Sequence, residues 1–120
     1  MKSTGAIQTN YGYDLLWASD ESYSGKIIVL EKEGSCTDMI FHKEKRKSIF
    51  VNAGKIKLRW IDTQSGELKE VVLEEGQTAN IIELQPHQFE AVSANSSITE
   101  VGVAELENDT FIVVSNSATN

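Results

Sequence analysis

The chain is poor in the residues that most often carry chemistry or covalent staples: it has one cysteine, Cys36, one proline, Pro86, and two histidines, His42 and His87. A lone cysteine excludes an intramolecular disulfide and points to a reducing compartment. Ser19, Ser22, Ser24, Ser48 and Ser65 lie in no recognisable nucleophile motif, and no glycine loop of the phosphate-cradling kind is present. No apolar run approaches membrane-spanning length, and the opening "MKSTGAIQTNYGYDLLW" lacks the continuous apolar core of a signal peptide. The expectation is therefore a soluble, cytoplasmic protein without a membrane partner. Positive charge is also scarce, with 11 Lys and Arg against 18 Asp and Glu for a net charge of −7. An acidic surface is repelled by the phosphate backbone, which argues against a nucleic-acid partner.

What is present reads as a globular β protein. Hydrophobic residues make up 40% and charged residues 24% of 120 positions, the composition and length of one ordinary domain over 1–120. Strand-like runs rich in Ile, Val, Phe and Thr fall at 25–32, 37–42, 48–51, 55–62, 68–73, 78–84, 88–93, 97–106 and 111–114. Turn signals at "EGS", "NAGK", "TQSGE", "EEGQ" and "SANSS" separate them at short, regular spacing, as in a sandwich or barrel. The core is expected at about 25–106, and 115–120 reads as a polar tail. Pro86, near the start of a strand, suits a sheet edge.

The few cations are concentrated. Seven of the eleven lie between Lys43 and Arg59, opposed only by Glu44, so that this segment is +6 and the remainder −13. In "KIKLRW" Lys55, Lys57 and Arg59 share one strand face while Ile56, Leu58 and Trp60 share the other. Burial of the apolar face sends these three cations to solvent. Lys43, Lys45 and Arg46 are expected to be solvated in a loop, which leaves His42 and Lys47 as the residues of "HKEKRK" with a role inside.

The spacing of glycines and histidines organises this region. From Gly34, five residues lead to Ile40, one more to His42, four to Lys47 and six to Gly54; from Gly76, five lead to Ile82, one to Leu84 and two to His87. The pattern resembles the two motifs of the cupin superfamily, the first with His-x-His and a glutamate between glycines and the second with one further histidine. The likeness runs over about 25–106, and "YGYDLLWASDESYSGKIIVLEK" looks like the lead-in strands of small cupins, similar to the cupin domain of type II mannose-6-phosphate isomerases and mannose-1-phosphate guanylyltransferases. The resemblance implies a double-stranded β-helix, a jelly-roll barrel in which each motif forms a hairpin closed by glycine turns.

Departures from the pattern shape the functional expectation. Metal-binding cupins hold a divalent transition metal with three histidines and a glutamate. Here His42 and His87 match two histidine positions, but Ile40 stands where the first histidine would be and Lys47 where the glutamate would be. The proline and glycine of the second motif are replaced by Ile82 and Leu84, and the late asparagine by Ala91. A protonated Lys47 would repel a dication at close range, so the cofactor expectation is none, or a weakly held divalent transition metal on His42 and His87. The leading reading is a barrel that binds a small polar or anionic, sugar-phosphate-like molecule through His42, His87, Lys47, Ile40, Trp60 and Phe89, with Ile49 and Val51 also in the lining. The alternatives are a metal-dependent isomerase, epimerase, lyase or dioxygenase, and a structural or regulatory cupin. A plainer account makes the histidines hydrogen-bonded interior side chains. Resemblance to the family adds the expectation of a homodimer.

Overall fold

A computed structural model describes residues 5–103 and 108–116. Eleven strands build two sheets. β1 (Gly5–Gln8), β2 (Gly12–Ser19), β3 (Tyr23–Leu30), β10 (Ser96–Val103), β5 (Lys47–Ala53) and β8 (Thr78–Ile81) form a six-stranded sheet in that order. The second sheet has five strands in the order β11 (Thr110–Val114), β4 (Met39–His42), β9 (His87–Ala91), β6 (Lys55–Ile61) and β7 (Leu68–Glu74). Every pairing is antiparallel. This is the jelly-roll double-stranded β-helix that the family resemblance implies.

Period-two burial shows why these segments are strands. Along β5, Lys47, Ile49 and Val51 are buried while Ser48, Phe50 and Asn52 are exposed. The buried positions of both sheets meet in one cluster that includes Ile28, Leu30, Val51, Ile56, Phe89 and Ile98. Tyr11 and Trp60 pack against it.

Three expectations need correction. The segments 43–46 and "NAGK" are not hairpin turns, because β4 and β6 belong to the five-stranded sheet and β5 to the six-stranded one. Each is a corner at which the chain crosses between sheets. Gly54 makes the second corner with a φ of 75°, and a Cβ there would run into the side chain of Ser96. Strand 78–84 ends early at Ile81, and Leu84 adopts a φ of 65° in the bend that follows. The strand expected over 97–106 is seen as Ser96–Val103, and positions 104–107 lie outside the described residues, as do 117–120 of the expected polar tail.

The β1–β2 turn meets the C-terminal end of the described chain. Asn10 donates from Nδ2 to Oδ1 of Asn116 at 3.0 Å, and Asn116 returns the bond at 2.8 Å. The Asn116 backbone N–H also donates to Asp38 Oδ1 at 2.8 Å.

Candidate functional site

Phase places one carboxylate and one amine inside the barrel. In β10, Glu100 shares the inward face with Ile98, opposite Ile49 of β5 and Lys26 of β3. Lys47, at the start of β5, also points inward, and Gly102 beside it leaves the room it needs. A Cβ on Gly102 would meet the Arg46 carbonyl oxygen at 2.5 Å and Lys47 Cβ at 3.0 Å. Lys47 Nζ lies 3.1 Å from Glu100 Oε2, and Lys45 Nζ lies 3.4 Å from Glu100 Oε1, all within side chains no more than 3% exposed.

Lys45 therefore corrects the expectation of a solvated loop residue, because its aliphatic stem is carried inward by a turn built on Asp109. The carboxylate of Asp109, itself buried, accepts from the N–H groups of Lys43 at 2.9 Å, Glu44 at 3.3 Å and Lys45 at 3.2 Å. Lys43 and Arg46 do face solvent, Lys43 with its Nζ 4.9 Å from the Phe111 ring centroid and Arg46 paired with Glu83 at 3.1 Å.

Both histidines are brought to the same interior. Their ring centroids are 5.8 Å apart, His42 at the end of β4 and His87 at the start of β9. His42 Nδ1 lies 3.2 Å from the Asp109 carbonyl oxygen, and His87 Nδ1 lies 2.8 Å from that of Gln85. A carbonyl only accepts, so each ring carries its proton on Nδ1 and presents a bare Nε2 lone pair. His42 Nε2 accepts from Lys47 Nζ at 3.2 Å. His87 Nε2 is buried and has no hydrogen-bond partner among the described residues.

The electrostatics follow from three ammonium groups crowding one carboxylate. Burial lowers the His42 pKa to about 4, assisted by Lys47 and Lys45, and lowers that of His87 to about 3, assisted by Lys47. Burial alone would raise the Glu100 carboxyl, but Lys47, Lys26 and Lys45 overcome it and hold the group well below the usual carboxylate range. Burial pushes Lys47 down as well, and its attraction to Glu100 is opposed by Lys26 and Lys45.

These groups border a cavity of about 140 Å³. Tyr11, Asp14, Lys26, Thr37, Asp38, Lys47, His87 and Glu100 supply its polar wall, and Ile28, Ile40 and Phe89 its apolar one. Sequence reasoning reached Lys47, His87, Ile40 and Phe89, and missed Glu100, Lys26 and Tyr11. His42 acts one step back, holding Lys47. Trp60 belongs elsewhere: it lines a separate cavity of about 240 Å³ with Leu58, Val71 and Ile81. Ile49 and Val51 are core residues, not lining. Arg59, expected in solvent, is half-buried between Glu90 at 2.7 Å and Glu70 at 3.5 Å.

The donor set does not fit a divalent metal. Two imidazole lone pairs with Nδ1 fixed on carbonyls are suitable ligands taken singly. The position beside His42 Nε2 and Glu100 Oε2, however, is filled by the Lys47 ammonium. Among the described residues, no group of three or more His, Cys, Asp or Glu side chains converges on a point.

No protein-family model matches the chain, and no curated protein is found similar to it. Solved structures do match. Oxalate decarboxylase from Bacillus subtilis superposes with a TM-score of 0.81 at 19% identity over 92% of this chain and 30% of its own. The formate complex of Lactobacillus farciminis oxalate decarboxylase gives 0.79 at 19% over 92% and 34%. The capsular polysaccharide assembling protein CapF from Staphylococcus aureus gives 0.79 at 16% over 95% and 33%. The chain spans about a third of the length of each of these proteins, and at such identity the likeness shows the cupin-type fold alone. The Bacillus subtilis oxalate decarboxylase has Mn(II) centres.

Proposed function

We propose that this cupin-type barrel binds a small anion without a metal, using the Lys47 ammonium as its fixed interior cation. The observation that carries the reading is the position of Lys47 Nζ, 3.2 Å from His42 Nε2 and 3.1 Å from Glu100 Oε2, at the wall of the interior cavity. Lys26 and Lys47 share the lining with Glu100, Asp14 and Asp38, so a bound anion lies against the Lys47 end of the cavity. A cavity of about 140 Å³ admits a short carboxylate more readily than a whole sugar phosphate, which would have to protrude from it. The neighbours' names point to both classes, carboxylates for the decarboxylases and a polysaccharide for CapF.

A thermal-shift screen of formate, acetate, propionate and sugar phosphates tests this on untagged protein. The expected result is a rise in Tm with a small carboxylate that disappears in Lys47→Met. A shift that survives the substitution removes Lys47 as the anchor.

Association of two copies fits the same molecule. On the six-stranded sheet the outward positions of β3, β5 and β10 carry no charged side chain, and Tyr23, Phe50, Val101 and Val103 are exposed there. Trp17 is also exposed, its ring lying over Gly25. For a chain of net charge −7, an uncharged face is where a second copy approaches with least repulsion. Sedimentation velocity is expected to show a dimer that Val101→Glu dissociates, and a monomer at all concentrations would refute it.

A further inference from the structure

We propose that the separate cavity beside Trp60 is a second binding site, which takes a small uncharged aromatic compound bearing one hydrogen-bond acceptor, such as an aryl ketone. It is independent of the anion reading of the interior cavity.

Topology supplies the first argument. β7 is the edge strand of the five-stranded sheet and β8 that of the six-stranded one, and the chain passes from one to the other through the turn at Gly76. Val71 of β7 and Ala79 and Ile81 of β8 line one cavity between these two edges, and Leu58 and Trp60 of the adjoining β6 complete its apolar wall. Val71 is 40% exposed and Trp60 half-buried, so the cavity is open to water and a ligand enters without parting a strand pair. Its strands are not those of the anion cavity, which is built from β2 to β5, β9 and β10.

Charge decides what kind of molecule fits. Among the described residues, no charged side chain lines this cavity. Lys69, which lies opposite Trp60 across β6 and β7, is paired with Asp62 at 3.3 Å. A carboxylate or an ammonium buried here would lose its hydration and gain no countercharge. An anion would also meet a chain of net charge −7. The five apolar side chains favour apolar surface instead, and the indole favours a ring in offset or edge contact.

Two amides fix the polar end of the ligand. Asn80 and Gln85 complete the lining. Asn80 Oδ1 accepts from Ser48 Oγ at 2.7 Å, and Gln85 Oε1 accepts from the Ile82 N–H at 3.4 Å. With both oxygens engaged, each amide has its NH2 group to offer, and that group only donates. The complementary ligand atom is an acceptor, and a ketone oxygen accepts without bringing charge. At about 240 Å³ the cavity exceeds the roughly 150 Å³ known to hold benzene, which leaves room for one ring and a short carbonyl substituent.

The test is titration of the full, untagged, ¹⁵N-labelled chain with acetophenone, ethylbenzene, benzoate and benzylamine, read from the indole N–H signals. The chain has two tryptophans, and the signal that remains in Trp17→Phe belongs to Trp60. Acetophenone is expected to shift the Trp60 signal saturably and to leave that of Trp17 in place. Benzoate and benzylamine carry a charge of either sign on the same ring and should bind there about tenfold or more weakly. Gln85→Met should lower the affinity for acetophenone relative to that for ethylbenzene by about fivefold, the loss of one hydrogen bond. Ala79→Leu, which fills the cavity, should abolish the Trp60 shift, and Lys47→Met should leave it unchanged. Benzoate binding at Trp60 as tightly as acetophenone would overturn the uncharged ligand class. A Trp60 signal unmoved by all four compounds would overturn the site itself, and neither result would touch the carboxylate screen at Lys47.

Discussion

At the scale of the residue, His42 and His87 are held neutral where an unfolded chain would charge them. Their pKa values near 4 and 3 lie below the unfolded value of about 6.5. Between those limits the unfolded state binds more protons, so stability is complete above about pH 6.5 and falls as pH drops toward the folded values. The slope is at most about 1.4 kcal/mol per pH unit for each ring. Urea midpoints are expected to fall between pH 7 and pH 5, before ordinary carboxylates titrate, and the double substitution His42→Gln with His87→Gln should flatten that segment of the profile. The same scale shows what the sequence made legible. His42, His87 and Lys47 stand out by rarity and spacing. Glu100 had a weaker signal, its phase with Ile98 in "SSITEVGV", which puts a carboxylate on the buried face of a strand. Lys45 had none, because a turn has no period and only the Asp109 contacts decide which way it points.

At the scale of the element, the corner from β4 to β5 is organised by a residue from the far end of the chain. Asp109 precedes β11 and accepts three successive backbone N–H groups, those of Lys43, Glu44 and Lys45. Its carbonyl also orients His42. Asp109→Ala removes the acceptor of three backbone N–H groups, that of Lys45 buried, and is expected to destabilise by about 2 to 3 kcal/mol, measured by urea unfolding, and to weaken carboxylate binding because the turn that carries Lys45 inward loses its support. Most of the strands could be read from composition and alternation, with ends shifted by a few residues. The crossings between sheets could not, since consecutive strands joined by a short polar loop look alike whether they pair with each other or turn a corner. β2 comes into view only through likeness to the lead-in strands of a family, and β1, which precedes that stretch, not at all; taken alone, "YGYDLLWAS" has no clean alternation, and a register shift between Leu16 and Ala18 explains why.

At the scale of the whole molecule, the basic segment that looks continuous in sequence is divided among three settings. Lys45 and Lys47 go to the interior, Lys43 and Arg46 to the surface, and Lys55 and Arg59 to cross-strand pairs with Glu74 and with Glu70 and Glu90. The barrel's interior cation thus comes from the chain itself. Prolonged dialysis against a chelator is expected to leave Tm and carboxylate binding unchanged, and a loss of either that divalent manganese restores would overturn the metal-free reading.

The reciprocal amide pair of Asn10 and Asn116 has a topological meaning. It brings two points 106 residues apart to the same place, so that the chain between them is nearly a closed ring. In such a ring the order of synthesis is separable from the order of strands in space. A short linker across the clasp, with new ends opened in the exposed Gln64–Gly66 turn, would leave out β1, which precedes Asn10, and rotate the gene while keeping every sheet neighbour from β2 to β11, and the interior lysines with them.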